Sequence, residues 1–551
     1  MILTWTFDSD SRKIRWFSFI VGCILNHIEL FAGCGGLTLG LESVGFETVL
    51  ANELSPMAAE TFAYNFFKEN LAQLAEDGLM PKNTLWLNSN YKDLKPRLRE
   101  NPFSFPEFNN KNGFSDLPCD LKSIQNKLIV GSIVELNKLL TTNSKLCDEL
   151  HNSFGKGELD LVSGGPPCQS FSMAGMRKKD CDKNTLPWEF ATFVSLVRPK
   201  IAMLENVTGI LRAFKDEAGE KFHAWHEVAK VFATKGYIPL CLHVNAKYAG
   251  IAQNRPRFIM IAIREDYFEK LKHLNEAETE LFEQSITFFK KAKKSINTVK
   301  FGDLPYFDIT KAEHHKLFKN SFLNSLIADR TASVKDALDD LKLSHPSKQS
   351  SYIKQLNTQF SVVLGNVTEL KNHEQRVNSD IVKRRFRIYQ ILQDVDDKQV
   401  TKDVFNVLKR GVADLSNESA AVLLDKEFLN QQDRLVKFNS KFDLVKYLLE
   451  HPTKKQTQKA LIADAAAPAA LSIPDDACHY DKNELRVLTV REMARIQSFP
   501  DQFEFRSKIT TGGQMRKFEV PQYTQVGNAV PPLLGAKLGV CLNTLIKRIY
   551  P

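Results

Sequence analysis

No two of the nine cysteines are spaced as Cys-x-x-Cys, so the common sequence mark of a structural zinc site is missing. Their odd number, scattered through 551 residues, argues against a disulfide scaffold and for a reducing, cytoplasmic setting. The apolar run Trp16 to Leu25 is about ten residues, short of the roughly 20 that a bilayer helix needs. Arg12, Lys13 and Arg15 before it give it the outline of a signal peptide. The next residues already begin a strand, however, which leaves no spacer for cleavage. Residues 1–25 therefore read as an N-terminal extension, either irregular or upstream of the true start, and no membrane partner is expected. Internal repeats are missing too, which excludes solenoids and propellers. Charge of one sign is not in great excess: 74 Lys and Arg against 65 Asp and Glu give +9. That balance suits a polyanionic partner without requiring one.

What is present is the rhythm of an α/β protein. Residues 26–31 read as a buried strand ending in a glycine-rich turn, and Leu37 to Val44 as the opening of a helix. Thr48 to Glu53 reads as the next strand, and Pro56 to Asn70 as a helix with Pro in its first turn. The strand pattern resumes at 128–133, 159–163, 201–204, 238–244 and 257–263, with an apolar helix around Phe190 to Leu196. Strand, turn, helix, strand is the beginning of a doubly wound sheet. Residues 71–126, rich in Asn, Lys and Pro, read as an insertion on the rim. After about residue 265 the rhythm stops. The expected domains are a catalytic, cofactor-binding one over 26–265, a smaller irregular one over 266–480, and a return to the first over 481–551. Ala465 to Ala470 is a small low-complexity stretch, read as a hinge or turn.

Four places carry chemistry. Phe31-Ala32-Gly33-Cys34-Gly35-Gly36 follows the first strand. Its glycines let the backbone approach a ligand, and the next helix offers its amide-rich start. The run is not Gly-x-Gly-x-x-Gly, because Thr38 stands where the third Gly would be. Glu53 ends the second strand about 20 residues after Gly33, where dinucleotide folds place the acid that bonds ribose hydroxyls. In the second place, Gly164-Gly165-Pro166-Pro167-Cys168 holds a thiol on a rigid turn after an apolar strand. A thiol is mostly protonated at neutral pH and needs help to attack. Glu205, at the end of another strand, is the third. The fourth is Gln253-Asn254-Arg255-Pro256-Arg257, whose alternating arginines point to the same side of an extended segment. They can fork onto a phosphate or a base carbonyl. A nucleoside-bearing cofactor over the first turn, with a thiol, a carboxyl and an Arg at neighbouring strand ends, describes a group-transfer site for an electron-poor ring.

These motifs resemble those of the DNA (cytosine-5) methyltransferases. The likeness covers the glycine turn, Gly165 to Ser172, Glu205-Asn206-Val207, and Gln253, Arg255 and Arg257. Two late stretches extend it, Arg491 to Pro500 and Gln525 to Pro532. The middle resembles the family only weakly, at Ser333 to Leu338 and His373 to Arg376. There are departures. Ser132 stands where the family often has an Asp that contacts the adenine amine, and Leu54 where some members have an aromatic residue.

The resemblance implies a Rossmann-like, S-adenosylmethionine-dependent fold with a target-recognition domain over 266–480. It implies S-adenosylmethionine as methyl donor, no metal, and cofactor contacts from Phe31, Ala32, Gly33, Gly35, Gly36, Glu53, Ser132, Pro166 and Asn528. The catalytic residues would be Cys168, attacking carbon 6 of a flipped cytosine, and Glu205 at ring nitrogen 3. Arg257 would hold the base carbonyl, and Arg255 the catalytic loop or a phosphate. Gln169, Ser172, Arg177, Lys178 and Lys179 would lie on a lid that closes on double-stranded DNA. A monomer is expected, in a restriction-modification setting with a separately acting endonuclease. A tRNA cytosine-5 methyltransferase would share the same Cys, Glu and Arg. The lack of a Cys-Phe-Thr signature and the large middle segment disfavour it. Intact Cys168 and Glu205 disfavour a catalytically silent DNA-binding homologue, and the missing third Gly a dehydrogenase.

Overall fold

The computed structural model describes residues 24–167, 185–215, 221–412, 414–454, 458–469 and 471–549. The whole lid and Cys168 lie outside the described residues. A nine-stranded sheet organises the chain. Its strands are β1 (Leu25–Leu30), β2 (Phe46–Glu53), β3 (Thr84–Trp86), β4 (Lys127–Val130), β5 (Leu161–Gly164), β6 (Ile201–Val207), β7 (Tyr237–Asn245), β8 (Pro256–Arg264) and β9 (Phe307–Asp308). Across the sheet they run β9-β7-β8-β6-β5-β1-β2-β4-β3. All neighbours are parallel except β8, which is antiparallel to both β6 and β7.

The topology places the chemistry. Chain order reverses direction between β5 and β1, and in doubly wound sheets the crevice at such a switch point takes the ligand. β1, β2, β4, β5 and β6 all end on that edge, and antiparallel β8 begins there. One edge therefore carries the glycine turn, Glu53, Ser132, the Gly165–Pro167 turn, Glu205 and Arg257.

Both faces of the sheet are covered, so its strands are near-continuous apolar runs. One face packs Leu161, Met203, Leu242 and Ile261 against Leu37, Phe282, Phe499 and Leu538. The other packs Ile28, Val162, Leu204 and Met260 against Ile133, Phe190, Trp225 and Phe288. The helix Glu276–Lys294 supplies Phe282 to the first core and Phe288 to the second, so the change of sequence character near 265 is not a boundary between cores. A separate core joins Phe386, Tyr389, Val404, Leu423, Phe428 and Leu448 with Ala460, Cys478 and Val487. It is built mainly from four helices between Asp380 and Leu449, so this part of the expected irregular unit is regular and helical. Leu488 and Val490 already belong to the sheet's core.

The insertion 71–126 is more than a rim. Thr84–Trp86 extends the sheet beside β4, and Trp86 is fully buried. The buried Arg97 guanidinium lies over the Trp86 ring at 5.6 Å and pairs with Asp116 at 2.6 Å. Such a pair keeps a buried charge satisfied. Likewise, the hinge Ala465 to Ala470 contains a short strand: Ala467 and Pro468 pair in parallel with Gln253 and Asn254.

Two titratable side chains are buried within β1. His27 shares a 2.7 Å hydrogen bond with the Ser163 hydroxyl of β5, and burial lowers its pKa to about 3. Glu29 accepts a hydrogen bond from Thr38, and burial pushes its carboxyl up to about 8.

Two predictions follow from this packing. Trp86→Ala should cost about 3–5 kcal/mol, the usual price of an aromatic deletion in a core, in denaturant unfolding of the sheet domain. A loss within experimental error would show that β3 is peripheral. For Glu29, a folded pKa above the unfolded one favours the protonated form in the fold. Its contribution is full below the unfolded value of about 4.3 and is lost as pH rises through about 8. Glu29→Gln cannot ionise, so urea unfolding at pH 5 and pH 9 should show the variant gaining on the wild type at the higher pH. An equal difference at both pH values would refute the assignment.

Candidate active site

The glycine turn is shaped by positive backbone angles. Phe31, Gly33 and Gly35 have φ of 56°, 58° and 92°. For Phe31 this left-handed conformation is uncommon and is held by its surroundings. Gly33 has open space where a side chain would begin, so its missing Cβ leaves room beside the backbone. At Gly36 a Cβ would collide with the Val530 carbonyl, so this glycine serves packing against the C-terminal motif. Cys34 in the same turn is buried and its thiol pKa is pushed up, which makes it unfit as a nucleophile.

Glu53 closes this turn. Its Oε2 accepts from the Gly33 amide at 2.8 Å and its Oε1 from the Ser55 amide at 2.7 Å. Burial raises its pKa, and the bonds from Ser55 and Gly33 oppose that. Each carboxylate oxygen keeps a further lone pair for a ligand hydroxyl. Next to it, Asn52 donates to the carbonyls of Ile129 and Gly131, both at 3.0 Å, and so fixes the end of β4. Ser132 caps the helix Ile133–Thr142, accepting from the Val134 amide at 3.2 Å, while its hydroxyl proton stays free to donate. The turn, the half-buried acid and the polar strand end fit a nucleoside.

The second half of the edge holds Glu205 and Arg257. The β6–β8 register sets Arg257 opposite Val207 and Ile259 opposite Glu205. Arg257 Nε lies 2.6 Å from Glu205 Oε1, with both residues buried. Burial lowers the Arg257 pKa and the Glu205 carboxylate opposes that shift. Above the pair runs the cysteine turn. A Cβ on Gly165 would stand 2.9 Å from Glu205 Oε2, so a side chain there would push the carboxylate aside. Asn206 Nδ2 donates to the Pro166 carbonyl at 2.9 Å, tying the turn to the strand that carries Glu205. Arg255 is also buried, but its guanidinium turns away from the pair. It donates to the carbonyls of Gly527 at 2.7 Å, Ala529 at 3.1 Å and Ala469 at 3.3 Å. Exposed Asn528 lies between the first two.

Sequence reasoning gave no role to Asn52, nor to Asn206 and Gln525, which it named only as members of motifs. The last is a buried junction. It accepts from the Thr61 hydroxyl at 2.6 Å and donates to the carbonyls of Met57, Arg506 and Val520. Among the described residues, no group of three or more His, Cys, Asp or Glu could hold a metal.

The family model described as C-5 cytosine-specific DNA methylase matches residues 25–81 and 135–542. The chain belongs to this family. It is a DNA cytosine-5 methyltransferase with S-adenosylmethionine as methyl donor. The gap in the match coincides with most of the insertion that bears β3. Among curated relatives, the Type II methyltransferase M.DdeI of Desulfomicrobium norvegicum is 24% identical over 95% of this chain and 90% of its own. M.AgeI of Thalassovita gelatinovora is 25% identical over 94% of this chain and 99% of its own. M1.HphI of Haemophilus parahaemolyticus is 24% identical, over 94% and 86% respectively.

The two halves of the edge should separate in experiment. Glu53→Ala removes a carboxylate with charge-assisted bonds, worth about 1.5–3 kcal/mol. It should raise the dissociation constant for S-adenosylhomocysteine by roughly tenfold or more in calorimetry. Gly165→Ala should instead leave that constant within about twofold and slow methylation at least about tenfold by displacing Glu205. The reverse pattern would mean the halves have been misassigned.

Proposed function

We propose that this methyltransferase acts on carbon 5 of a specific cytosine in duplex DNA through a covalent adduct on Cys168. What supports the reading is the buried Glu205–Arg257 pair directly beneath the turn that leads into Cys168, with Asn206 holding that turn. Carbon 5 of cytosine is a poor nucleophile. Attack by the Cys168 thiolate on carbon 6 forms a carbon–sulfur bond and moves the electron pair of the 5,6 double bond to carbon 5 and, through carbon 4, ring nitrogen 3, which makes an enamine. Glu205 bonds or protonates ring nitrogen 3, so charge does not accumulate there. Arg257 holds Glu205 in orientation and presents its guanidinium to the base carbonyl. The sulfonium of S-adenosylmethionine supplies an electrophilic methyl group to the activated carbon 5. A base or solvent takes the carbon 5 proton, the Cys168 thiolate is expelled, and any proton given to nitrogen 3 returns to Glu205, which restores the aromatic ring.

A base stacked in a duplex cannot reach a crevice at the sheet edge, so the target is flipped out. Gln169, Ser172, Arg177, Lys178 and Lys179 follow Cys168 in sequence and form the lid that closes on the DNA, their cations meeting phosphates. Phe31, Ala32, Gly33, Gly35, Gly36, Glu53, Ser132, Pro166 and Asn528 surround the cofactor. The helical unit with its own core reads the sequence around the target. The match to Type II methyltransferases over nearly the whole chain supports protection of host DNA. A separately acting endonuclease and a monomeric enzyme belong to the same proposal.

Cys168→Ser should reduce tritiated-methyl incorporation into duplex DNA by several orders of magnitude while duplex binding persists. Methylation at the wild-type rate would refute the covalent mechanism. Side-by-side assays should show duplex DNA, and not tRNA, as acceptor, and bisulfite sequencing of DNA from expressing cells should show protected cytosines within one short recognition sequence.

A further inference from the structure

We infer that Arg255 is a positioning residue, which couples the chain returning from the helical unit to the loop that presents Asn528 to the cofactor. The inference rests on the proposed place of Asn528 at that site, and it gives Arg255 a role distinct from contact with DNA or base.

The returning chain is wedged between two parts of the catalytic domain. On one side Ala467 and Pro468 pair with Gln253 and Asn254, and Gln253 Nε2 donates to the Pro468 carbonyl at 3.2 Å. On the other side it packs on Gly527 so closely that a Cβ there would collide with Ser472 and stand 2.7 Å from the Leu471 carbonyl. Arg255 closes the wedge, with one guanidinium nitrogen on Ala469 and another shared by Gly527 and Ala529. Only 3% of its surface is exposed, so its charge is solvated by these carbonyls and not by water. Two of them belong to the end of the helix Gln522–Asn528, where unpaired carbonyls welcome a cation.

The same guanidinium feels the catalytic pair: repulsion from Arg257 adds to the effect of burial on its pKa, and Glu205 opposes both. Arg255 thus stands between the reacting edge, the cofactor loop and the return from the helical unit. A shift of that unit on DNA is passed to Asn528 through Ala467 to Ala469 and through Leu471 and Ser472. By linkage, cofactor binding biases the unit by the same factor. The fork matters: separate guanidinium nitrogens serve the two segments, and a lysine ammonium is a single point charge without that paired geometry.

Binding of S-adenosylhomocysteine, measured by calorimetry with and without a duplex carrying the target site, tests this. In the wild type the duplex should tighten binding several-fold. Arg255→Lys should weaken binding without DNA by about tenfold and lose most of the tightening. In turnover it should raise KM for S-adenosylmethionine while kcat falls less than threefold. Gly527→Ala, which disturbs the wedge and leaves Arg255 intact, should give the same loss of coupling, and it serves if the arginine variant does not fold. Wild-type binding and coupling in both variants would overturn the inference. So would an Arg255→Lys enzyme that binds the cofactor product normally but loses duplex affinity or kcat alone, since Arg255 would then contact DNA or base. If the wild type does not methylate duplex DNA, the functional proposal fails instead, and the DNA-free binding arm still tests the wedge.

Discussion

The register of β8 against β6 is the constraint on which the Glu205–Arg257 pair depends. β8 is the strand that runs against its neighbours, and so the start of β8 meets the end of β6. A parallel strand in that place would put Arg257 at the far end of the sheet from Glu205. The resulting ion pair is buried on both sides, a costly arrangement unless the geometry is good and each partner has further bonds. Arg257 has its second bond on the Pro256 carbonyl at 2.8 Å. The pair cannot be justified by stability alone, since two apolar side chains would fill the volume with less desolvation. Its use is to hold a carboxyl in one orientation beneath the cysteine turn.

The glycine edge obeys a different logic. There the backbone is the working part, and side chains are arranged to keep it in an unfavourable shape. Glu53 fixes the turn through the Gly33 amide, and Gln525 accepts from Thr61 while its own carbonyl faces the Cys34 thiol at 3.8 Å. Gly36 must lack a side chain because the C-terminal motif lies against it. The glycine half of the edge is therefore completed by residues nearly five hundred positions away in sequence.

This explains which features could be read from sequence. The buried strands were legible because both faces are covered and the runs are apolar without alternation. The glycine turn, Glu53, Glu205 and Arg257 were legible because strand ends carry their own punctuation of Gly, Pro and charge. Thr84–Trp86 was not, because three residues inside a polar stretch give no periodicity and their burial comes from a neighbouring strand. Ala465 to Ala470 looked like a hinge because alanines and a proline carry no strand signal, yet its pairing partner is supplied from Gln253. Asn206 stood in plain view between Glu205 and Val207. Nothing local says that its amide spans forty residues to Pro166. The two-sided packing of Glu276–Lys294 was equally hidden, since its amphipathic pattern does not say which cores receive its two apolar stripes.

The late arginines show the same point from the other side. In a family that acts on DNA, Arg491 and Arg495 on the helix Val490–Ile496 invite assignment to phosphates. Both are buried. Arg491 donates to the carbonyls of Lys371, Pro500 and Phe503. Arg495 pairs with Asp501 and Asp340, both at 2.7 Å. Arg486 is likewise taken up by Glu492 at 2.8 Å, and Glu492 also accepts from the Thr489 amide that begins the helix. These charges fasten the C-terminal motif to the segments entering and leaving the helical unit. With both connections fixed in this way, the helical unit and the C-terminal motif are held to each other by buried charge, and Arg255, on the carbonyls of Ala469, Gly527 and Ala529, fastens the same junction from the sheet side.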